Sequence, residues 1–234
     1  MAQALAQAGI AAIYSYAGRT ETPPAQAIPH RTGGFGGFDG LVAYLKAESI
    51  THVIDATHPF AAQMSGHAVQ ACATLALPLI ALERAPWVPK PGDNWRFFRD
   101  IPTIAAAMPT PEARVFLAIG RQNLADFAGH PQHHYLLRLV DAPIGLPLPK
   151  VQVVVSKGPF SLAGDLALLR GHRTELVVAK NSGGEAARAK LDAARILCLP
   201  VWLAERPQIP PRLAVGSVAE VMAWLAHHPA RLGV

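Results

Sequence analysis

Two stretches of the sequence decide its fold: residues 75–86 read LALPLIALERAP, and residues 197–208 read LCLPVWLAERPQ. They lie 122 residues apart, and the same shift aligns HVIDAT at 52–57 with TELVVA at 174–179. Further back it aligns AIYSYAGR at 12–19 with HYLLRLVD at 134–141. Because the register is unbroken from about residue 12 to residue 86, the two halves are predicted to form an internal repeat.

Each half alternates apolar, β-prone segments with helical patterns, which predicts an α/β fold of two tandem Rossmann-like domains with doubly wound parallel sheets. A proline-bounded linker at 102–111 places the domain boundary, giving domains 1–109 and 110–234. Strands are predicted at 12–17, 52–56, 79–83, 134–140, 175–179 and 201–204, and helices at 39–48, 60–74, 161–171 and 184–197.

The repeat also predicts that the first half lacks the strand and turn with which the second half begins. The second half opens with the strand and turn VFLAIGR at 115–121, whereas Met1 aligns with Asn123, inside the following helix. The first strand and first nucleotide-binding turn of domain 1 are therefore expected to be missing from this sequence. That strand is usually central in a doubly wound sheet, and its loss would leave its neighbours unpaired. The alternative is a first domain that is simply smaller.

Composition excludes few functions. The formal net charge is +5, but Lys and Arg are dispersed and no nucleic-acid-binding motif is present, so no nucleic-acid partner is predicted. A basic protein that handles a polyanionic small molecule has the same balance. No apolar run is long enough to cross a membrane and no secretory signal is visible, so the prediction is a cytoplasmic protein without a membrane partner. His130, His133 and His134 have no acidic or cysteine residue close in sequence, so no metal site is predicted.

Two motifs follow predicted strands, at the carboxyl edge where open α/β sheets bind ligands. The first is DATHPFA at 55–61, in which Thr57 is expected to cap the next helix and Pro59 to begin it. The second is KNSGG at 180–184, which combines a cation, small hydrogen-bonding side chains and two glycines. Either turn alone is as well explained by ordinary capping, but their matched positions favour a binding site.

The motifs together resemble those of the precorrin-6A reductases. The shared set is DATHPFA, LERAPW, AGRT before GGFGG, VFLAIGRQ, and KNSGG followed by AKLDAAR. The resemblance implies two Rossmann-like domains with the active site between them. It also implies NADPH-dependent reduction of precorrin-6A to precorrin-6B in cobalamin biosynthesis. A related reductase acts on cobalt-precorrin-6A, so that substrate stays open.

The resemblance assigns roles that these residues suit chemically. Arg19 follows a predicted strand that offers no acid for a ribose hydroxyl, and it suits the 2′-phosphate of NADPH; the alternative is a solvated turn residue. His58 is the candidate proton donor, although it could merely shape its turn or contact cofactor while solvent supplies the proton. The predicted cofactor-binding residues are Ser15, Gly18, Arg19, Gly36, Gly37, Thr57, His58 and Pro59. The predicted substrate-binding residues are Arg121, Lys157, Lys180, Asn181, Ser182, Gly183 and Gly184, of which the three cations would pair with the acetate and propionate groups of the macrocycle.

Two further expectations are open. One is that the chain binds a tetrapyrrole without catalysis, if the first nucleotide-binding turn is truly missing. The other concerns Cys198, at a position where the family commonly has glycine. A left-handed backbone is expected there, but the aligned Ala76 also bears a side chain, so both turns could close without positive φ.

Overall fold

A computed structural model of the chain describes residues 1–18, 25–143 and 145–228. The strands are β1 Tyr14–Tyr16, β2 His30–Thr32, β3 Val53–Asp55, β4 Leu79–Leu82, β5 Trp95–Phe98, β6 Arg114–Ala118, β7 His134–Leu139, β8 Val151–Val155, β9 Leu176–Lys180, β10 Val201–Ala204 and β11 Ala214–Val215. The α-helices are α1 Ala2–Gln7, α2 Gly37–Ala47, α3 Ala62–Leu75, α4 Ile101–Ala106, α5 Leu162–Gly171, α6 Ala189–Ile196 and α7 Val218–His227. Two 3-10 helices span Arg121–Phe127 and Glu185–Ala187. Parallel strands alternating with helices confirm the predicted α/β fold class.

The chain divides into two compact units, and they differ from the predicted domains 1–109 and 110–234. Unit 1 consists of residues 1–84 and 208–234, and unit 2 of residues 85–207. The prediction needs this correction for two reasons. Strand β5 pairs with β10 and so joins the sheet of unit 2, while β11 pairs with β4 and so joins a sheet of unit 1. Apolar periodicity predicts that a strand exists but not which sheet it enters, so the sequence did not show these two pairings.

Unit 2 contains one continuous parallel sheet of six strands in the order β5-β10-β9-β6-β7-β8. Helices α5 and α6 cover one face, where Leu169 and Leu191 pack with Phe116 and Val177. The 3-10 helix Arg121–Phe127 lies on the other face, because the ring of Phe127 contacts that of Tyr135. The first strand of the sheet in sequence after β5 is β6, and it lies in the centre. The chain adds β7 and β8 on one side of β6 and then β9 and β10 on the other, as in a Rossmann sheet, so the topological switch point falls between β6 and β9.

Unit 1 has its parallel strands in two separate sheets, β1-β2 and β11-β4-β3. Within the described ranges no strand joins β1 to β3, whereas in unit 2 β6 pairs with both β7 and β9. Helices α2 and α3 pack together through Leu41, Leu45 and Ala68. The internal repeat and the missing first strand stay predictions.

The turns after α3 and α6 both close with a left-handed residue that carries a side chain. Ala76 has φ 52° and Cys198 has φ 53°, which settles the choice left open by the sequence. In each turn the next residue reaches back into the helix: Leu77 N donates to Cys72 O and Leu199 N to Ala194 O, both at 2.9 Å. These bonds are those of a Schellman motif, in which glycine is the favoured left-handed residue.

Replacing Cys198 with glycine is therefore expected to raise the free energy of unfolding by about 1 kcal/mol, because glycine adopts positive φ without the steric cost of a Cβ. The side chain is exposed, so little packing is lost. Denaturant unfolding measures the change. The matched control is Ala107→Gly at the end of α4, where φ is −93° and glycine should only destabilise. Destabilisation by both substitutions would contradict the left-handed cap.

Candidate active site

Unit 1 has a cleft of about 360 Å³ at the carboxyl ends of β3 and β4. Its lining consists of Ala56, Thr57, His58, Pro59, Leu82 and Arg84. The predicted DATHPFA turn therefore borders a concave surface, at the edge of the sheet where open α/β proteins bind ligands.

A buried carboxylate, Asp55, organises this turn. Its Oδ1 accepts hydrogen bonds from the Thr57 backbone N at 3.1 Å and the Thr57 hydroxyl at 2.7 Å. On its other side, Arg212 Nε lies 3.5 Å from Asp55 Oδ2, and Arg212 also binds Glu83 at 3.0 Å. Both Asp55 and Arg212 have nearly buried side chains. The network fixes the start of the turn, and no local pattern in the sequence indicated that Arg212 would take part.

The role predicted for Thr57 as a helix cap is wrong. Helix α3 begins at Ala62, with Ala61 as its N-cap residue, so Thr57 lies too early to cap it. The Thr57 hydroxyl instead bonds to Asp55 and lies 3.1 Å from the Ser65 hydroxyl. Pro59 is buried but likewise precedes the helix, and does not begin it. The Thr57 backbone N–H and hydroxyl both donate to Asp55 and so form a local turn ahead of the helix, as short acidic side chains favour.

His58 is exposed at the rim of the cleft. Its Nδ1 accepts a hydrogen bond from the Phe60 backbone N at 3.2 Å. This bond assigns the proton of the neutral imidazole to Nε2, because Nδ1 must present its lone pair.

The glycine turn of unit 1 follows β2. Gly33, Gly36 and Gly37 all have positive φ, and Gly36 is the N-cap residue of α2. Gly18, at the end of β1, also has positive φ, and a Cβ there would lie 3.4 Å from the Gly33 backbone. Two turns that follow neighbouring parallel strands thus approach each other closely, as their glycines allow.

Two other residues of this region, Ser15 and Arg19, were predicted to bind the cofactor, and the structure describes only the first of them. Ser15 lies in β1, and its hydroxyl accepts a hydrogen bond from Arg31 Nη1 at 2.8 Å. Arg19 lies outside the residues that the structure describes.

In unit 2, the three predicted substrate-binding cations follow strands of one parallel sheet. Arg121 comes after β6, Lys157 after β8, and Lys180 is the last residue of β9. Arg121 and Lys157 are exposed, and Lys157 lies 3.9 Å from Asp141. Because parallel strands end at the same edge, the structure brings the three to the carboxyl edge of this sheet, with Arg121 and Lys180 flanking the switch point.

The rest of the KNSGG motif is occupied with contacts inside unit 2. The buried Asn181 amide accepts from the Trp87 backbone N at 2.8 Å and donates to the Trp87 carbonyl at 3.1 Å. Ser182 is also buried, and the Gly184 carbonyl accepts from Trp87 Nε1 at 2.9 Å. A Cβ on Gly183 would lie 2.0 Å from the Ala85 carbonyl oxygen. These residues hold the segment around Trp87, a structural use that the composition of the motif did not reveal.

Sequence reasoning missed a buried ionic cluster in unit 2. Arg138 on β7 forms an ion pair with Asp165 on α5, and both side chains are almost fully buried. Lys190 on α6 lies 4.6 Å from the centre of the Trp87 ring. Burial and, to a smaller extent, the charge of Arg138 lower the pKa of Lys190 to about 7, and Asp165 opposes the change. The cluster therefore holds a guanidinium, a carboxylate and a lysine amine away from water.

His133 and His134, which the sequence places close together, both have hydrogen-bond partners within the protein. His133 is fully buried and its Nδ1 accepts from the Ala113 backbone N at 3.1 Å, while His134 Nε2 lies 2.9 Å from Glu112. Burial lowers the pKa of His133. Within the described part of the chain, no group of His, Cys, Asp or Glu is arranged to hold a metal ion. None of the helices there has the length and apolar character that crossing a membrane requires.

Known proteins resemble this chain over nearly its whole length. A family model described as Precorrin-6x reductase CbiJ/CobK matches residues 1–226. The precorrin-6A reductase of Rhodobacter capsulatus is 55% identical over 231 residues, covering 98% of this chain and 92% of that protein. The precorrin-6A reductase of Rhodococcus erythropolis is 41% identical, covering 96% and 92%. A solved structure of CobK precorrin-6A reductase has a TM-score of 0.94 at 56% identity, covering 98% of this chain and 92% of that one. The matches include both compact units.

Proposed function

The chain belongs to the precorrin-6x reductase family, and from this premise we propose that it reduces precorrin-6A to precorrin-6B with NADPH in cobalamin biosynthesis. The observation that carries the proposal is the 55% identity to a precorrin-6A reductase over 98% of the chain. An oxidoreductase that acts on a CH–CH group follows from the same relationship. A location in the cytoplasm stays a prediction.

NADPH is the proposed cofactor, and the residues of unit 1 suit it chemically. Positive-φ glycines at 18, 33, 36 and 37 let a sugar-phosphate chain approach the backbone, and Arg19 would supply charge for the 2′-phosphate. Thr57, His58 and Pro59 line a cleft at a strand edge, and we assign them to cofactor binding as well. When bound, the nicotinamide supplies the hydride, and the protein's part is to hold, orient and neutralise charge.

The proposed substrate is a polycarboxylate macrocycle. Arg121, Lys157 and Lys180 are cations at one sheet edge, which suits several carboxylates on a flat molecule. Ser182, Gly183 and Gly184 form the turn after Lys180, and we assign their backbone to the substrate site. Asn181 serves that site indirectly, since its amide binds Trp87.

His58 is the proposed proton donor for the carbon that does not receive hydride. The imidazolium is the acid that gives up this proton, so the Phe60 N–H bond to Nδ1 must open when the ring is protonated. Solvent is the alternative proton source, and the kinetics of the His58→Asn variant separate the two. If His58 is the donor, the variant should have a lower kcat than the wild-type protein, and this kcat should no longer vary with pH around the imidazole pKa.

Two alternatives are distinguished by one assay. A cobalt-precorrin-6A reductase would prefer the metallated macrocycle, whereas both relatives described above are precorrin-6A reductases. A non-catalytic tetrapyrrole-binding protein would shift the macrocycle spectrum without consuming cofactor. Mixing the purified protein with NADPH and precorrin-6A should lower the nicotinamide absorbance by one equivalent per macrocycle.

Replacing Arg19 with alanine is expected to weaken NADPH binding far more than NADH binding, because only NADPH carries the 2′-phosphate. A charge-assisted contact of this kind contributes about 1.5–3 kcal/mol, or roughly ten- to a hundredfold in affinity. Titration of each cofactor against the wild-type and variant proteins measures the difference. Equal losses for NADPH and NADH would show that Arg19 is structural.

A further inference from the structure

Arg31 in unit 1 is held in one orientation by an unusual set of contacts. It is the middle residue of β2, where it pairs with Ser15 of β1. Its Nη1 donates to the Ser15 hydroxyl at 2.8 Å and to the Gly33 carbonyl at 2.9 Å, and its Nη2 donates to the Gly34 carbonyl at 3.0 Å. Three hydrogen bonds therefore tie the guanidinium to β1 and to the glycine turn.

Two aromatic rings complete the setting. The guanidinium carbon lies 4.1 Å from the centre of the Phe35 ring and 5.2 Å from that of Tyr44. Phe35 itself packs against the apolar cluster of α2 and α3, and its ring lies 5.1 Å from that of Tyr44. The rings restrict the side chain and favour its charge by cation–π attraction.

The contacts leave part of Arg31 unused. Across residues 1–18, 25–143 and 145–228, no carboxylate forms an ion pair with this half-buried cation. Its hydrogen bonds to those residues use both N–H groups of Nη1 and one of Nη2. The N–H of Nε and the second N–H of Nη2 remain, and they lie on the same edge of the planar group. That edge is the fork with which arginine binds two oxygens of one anion.

We propose that Arg31 is a specificity-determining residue of the cofactor site, whose Nε–Nη2 edge binds the 2′-phosphate of NADPH. The inference rests on the proposed use of NADPH and names a contact that the sequence did not suggest. Two features support this location. Ser15, a predicted cofactor residue, is bonded to Arg31, and Gly18, next to Arg19, packs on Gly33 in the turn that Arg31 holds. A dianionic phosphate would also supply the counter-charge that the described residues do not provide.

The test compares two probes, adenosine 2′,5′-bisphosphate and 5′-AMP, by calorimetric titration at one fixed salt concentration. Arg31→Lys keeps the positive charge but loses the fork. We expect it to weaken the bisphosphate by roughly ten- to a hundredfold and to change 5′-AMP affinity by no more than about twofold. Arg96→Lys is the matched control, since Arg96 also stacks on aromatic rings, at 4.6 Å from Phe98, but belongs to unit 2.

Each outcome separates this inference from the proposed function. If the wild-type protein does not prefer the bisphosphate to 5′-AMP, the proposed use of NADPH is wrong. If it does and the preference survives in Arg31→Lys, only the role of Arg31 is wrong. Equal losses for both probes would likewise reduce Arg31 to a structural support of the turn.

A second measurement uses the unaltered protein and so does not depend on the variant folding. Phenylglyoxal modifies arginine side chains, and peptide mass spectrometry reports the extent at Arg31. Adenosine 2′,5′-bisphosphate should protect Arg31 and 5′-AMP should not. The same extent of modification with either nucleotide would overturn the proposal.

Discussion

Replacing Asp165 with alanine is expected to lower the free energy of unfolding by about 3–5 kcal/mol, the usual cost of removing one partner of a buried ion pair. Arg138 donates to both carboxylate oxygens of Asp165, and the two side chains are only 7% and 5% exposed. The buried Lys190 would also lose the one carboxylate that raises its pKa. Arg138 would then be left buried without its counter-charge.

Denaturant unfolding at neutral pH measures this change, and Glu112→Ala is its control. Glu112 pairs with Lys150 at 3.3 Å, but its side chain is 57% exposed. Solvent-exposed pairs contribute at most about 1 kcal/mol, so this control should have a small effect. Similar losses for the two variants would show that burial of the Asp165 pair is not what makes it important.

The charge state of Lys190 adds a pH signature to the same cluster. Its pKa is about 7 in the folded protein and 10.5 when unperturbed, so the unfolded chain binds more protons between these values. Stability should therefore rise as the pH increases from about 7 towards 10.5. Asp165→Ala should accentuate this dependence, because the pKa of Lys190 falls further without the carboxylate.

Replacing Gly183 with alanine is the second substitution with a large expected effect, a loss of about 2–5 kcal/mol. Two costs combine. Gly183 has φ 68°, which a residue with a Cβ adopts only with strain, and the new Cβ would lie 2.0 Å from the Ala85 carbonyl and 2.6 Å from Arg206 Nη2. Because a backbone carbonyl cannot move aside as a side chain does, the turn after Lys180 must shift.

Thermal and denaturant unfolding measure the loss, and Gly171→Ala is the control. Gly171 ends α5, and a Cβ added there would meet no atom within 4 Å among the residues that the structure describes outside that helix and the neighbouring positions. Alanine at this position should therefore be neutral or stabilising. A cost below about 1 kcal/mol for Gly183→Ala would mean that the close approach to Ala85 is not required.

Several elements could be predicted from the sequence because their signals are local. Strands β3, β4, β9 and β10 and helices α2, α3 and α5 follow from apolar periodicity and agree with the structure to within about two residues. Helix α6 was predicted from residue 184 but begins at Ala189, after the 3-10 helix Glu185–Ala187. The placement of Arg121, Lys157 and Lys180 after strands followed from the same patterns. The helix end before Leu-Pro indicated a left-handed residue at Cys198 as one of two possibilities, and the structure decides between them.

Other features depend on which segments meet, and local patterns carry no such information. The pairing of β5 with β10 and of β11 with β4 moved the unit boundaries away from residue 109. Thr57 is a residue type that often caps helices, but it forms a turn with Asp55 and the helix begins only at Ala62. Asn181 is a residue type common in ligand-binding turns, yet its amide binds the backbone of Trp87, 94 residues away in sequence. No local pattern distinguishes the buried charges Arg138, Asp165 and Lys190 from charged residues on the surface.

Isotope transfer tests whether hydride passes from NADPH to the precorrin-6A macrocycle on this protein. The protein is incubated with precorrin-6A and NADPH that carries deuterium at both C4 positions of the nicotinamide, and the product is analysed by mass spectrometry. We expect each macrocycle to gain one deuterium from the cofactor and one hydrogen from solvent, giving precorrin-6B. Recovery of the macrocycle unchanged, or a reduced product without deuterium, would contradict the proposed reaction.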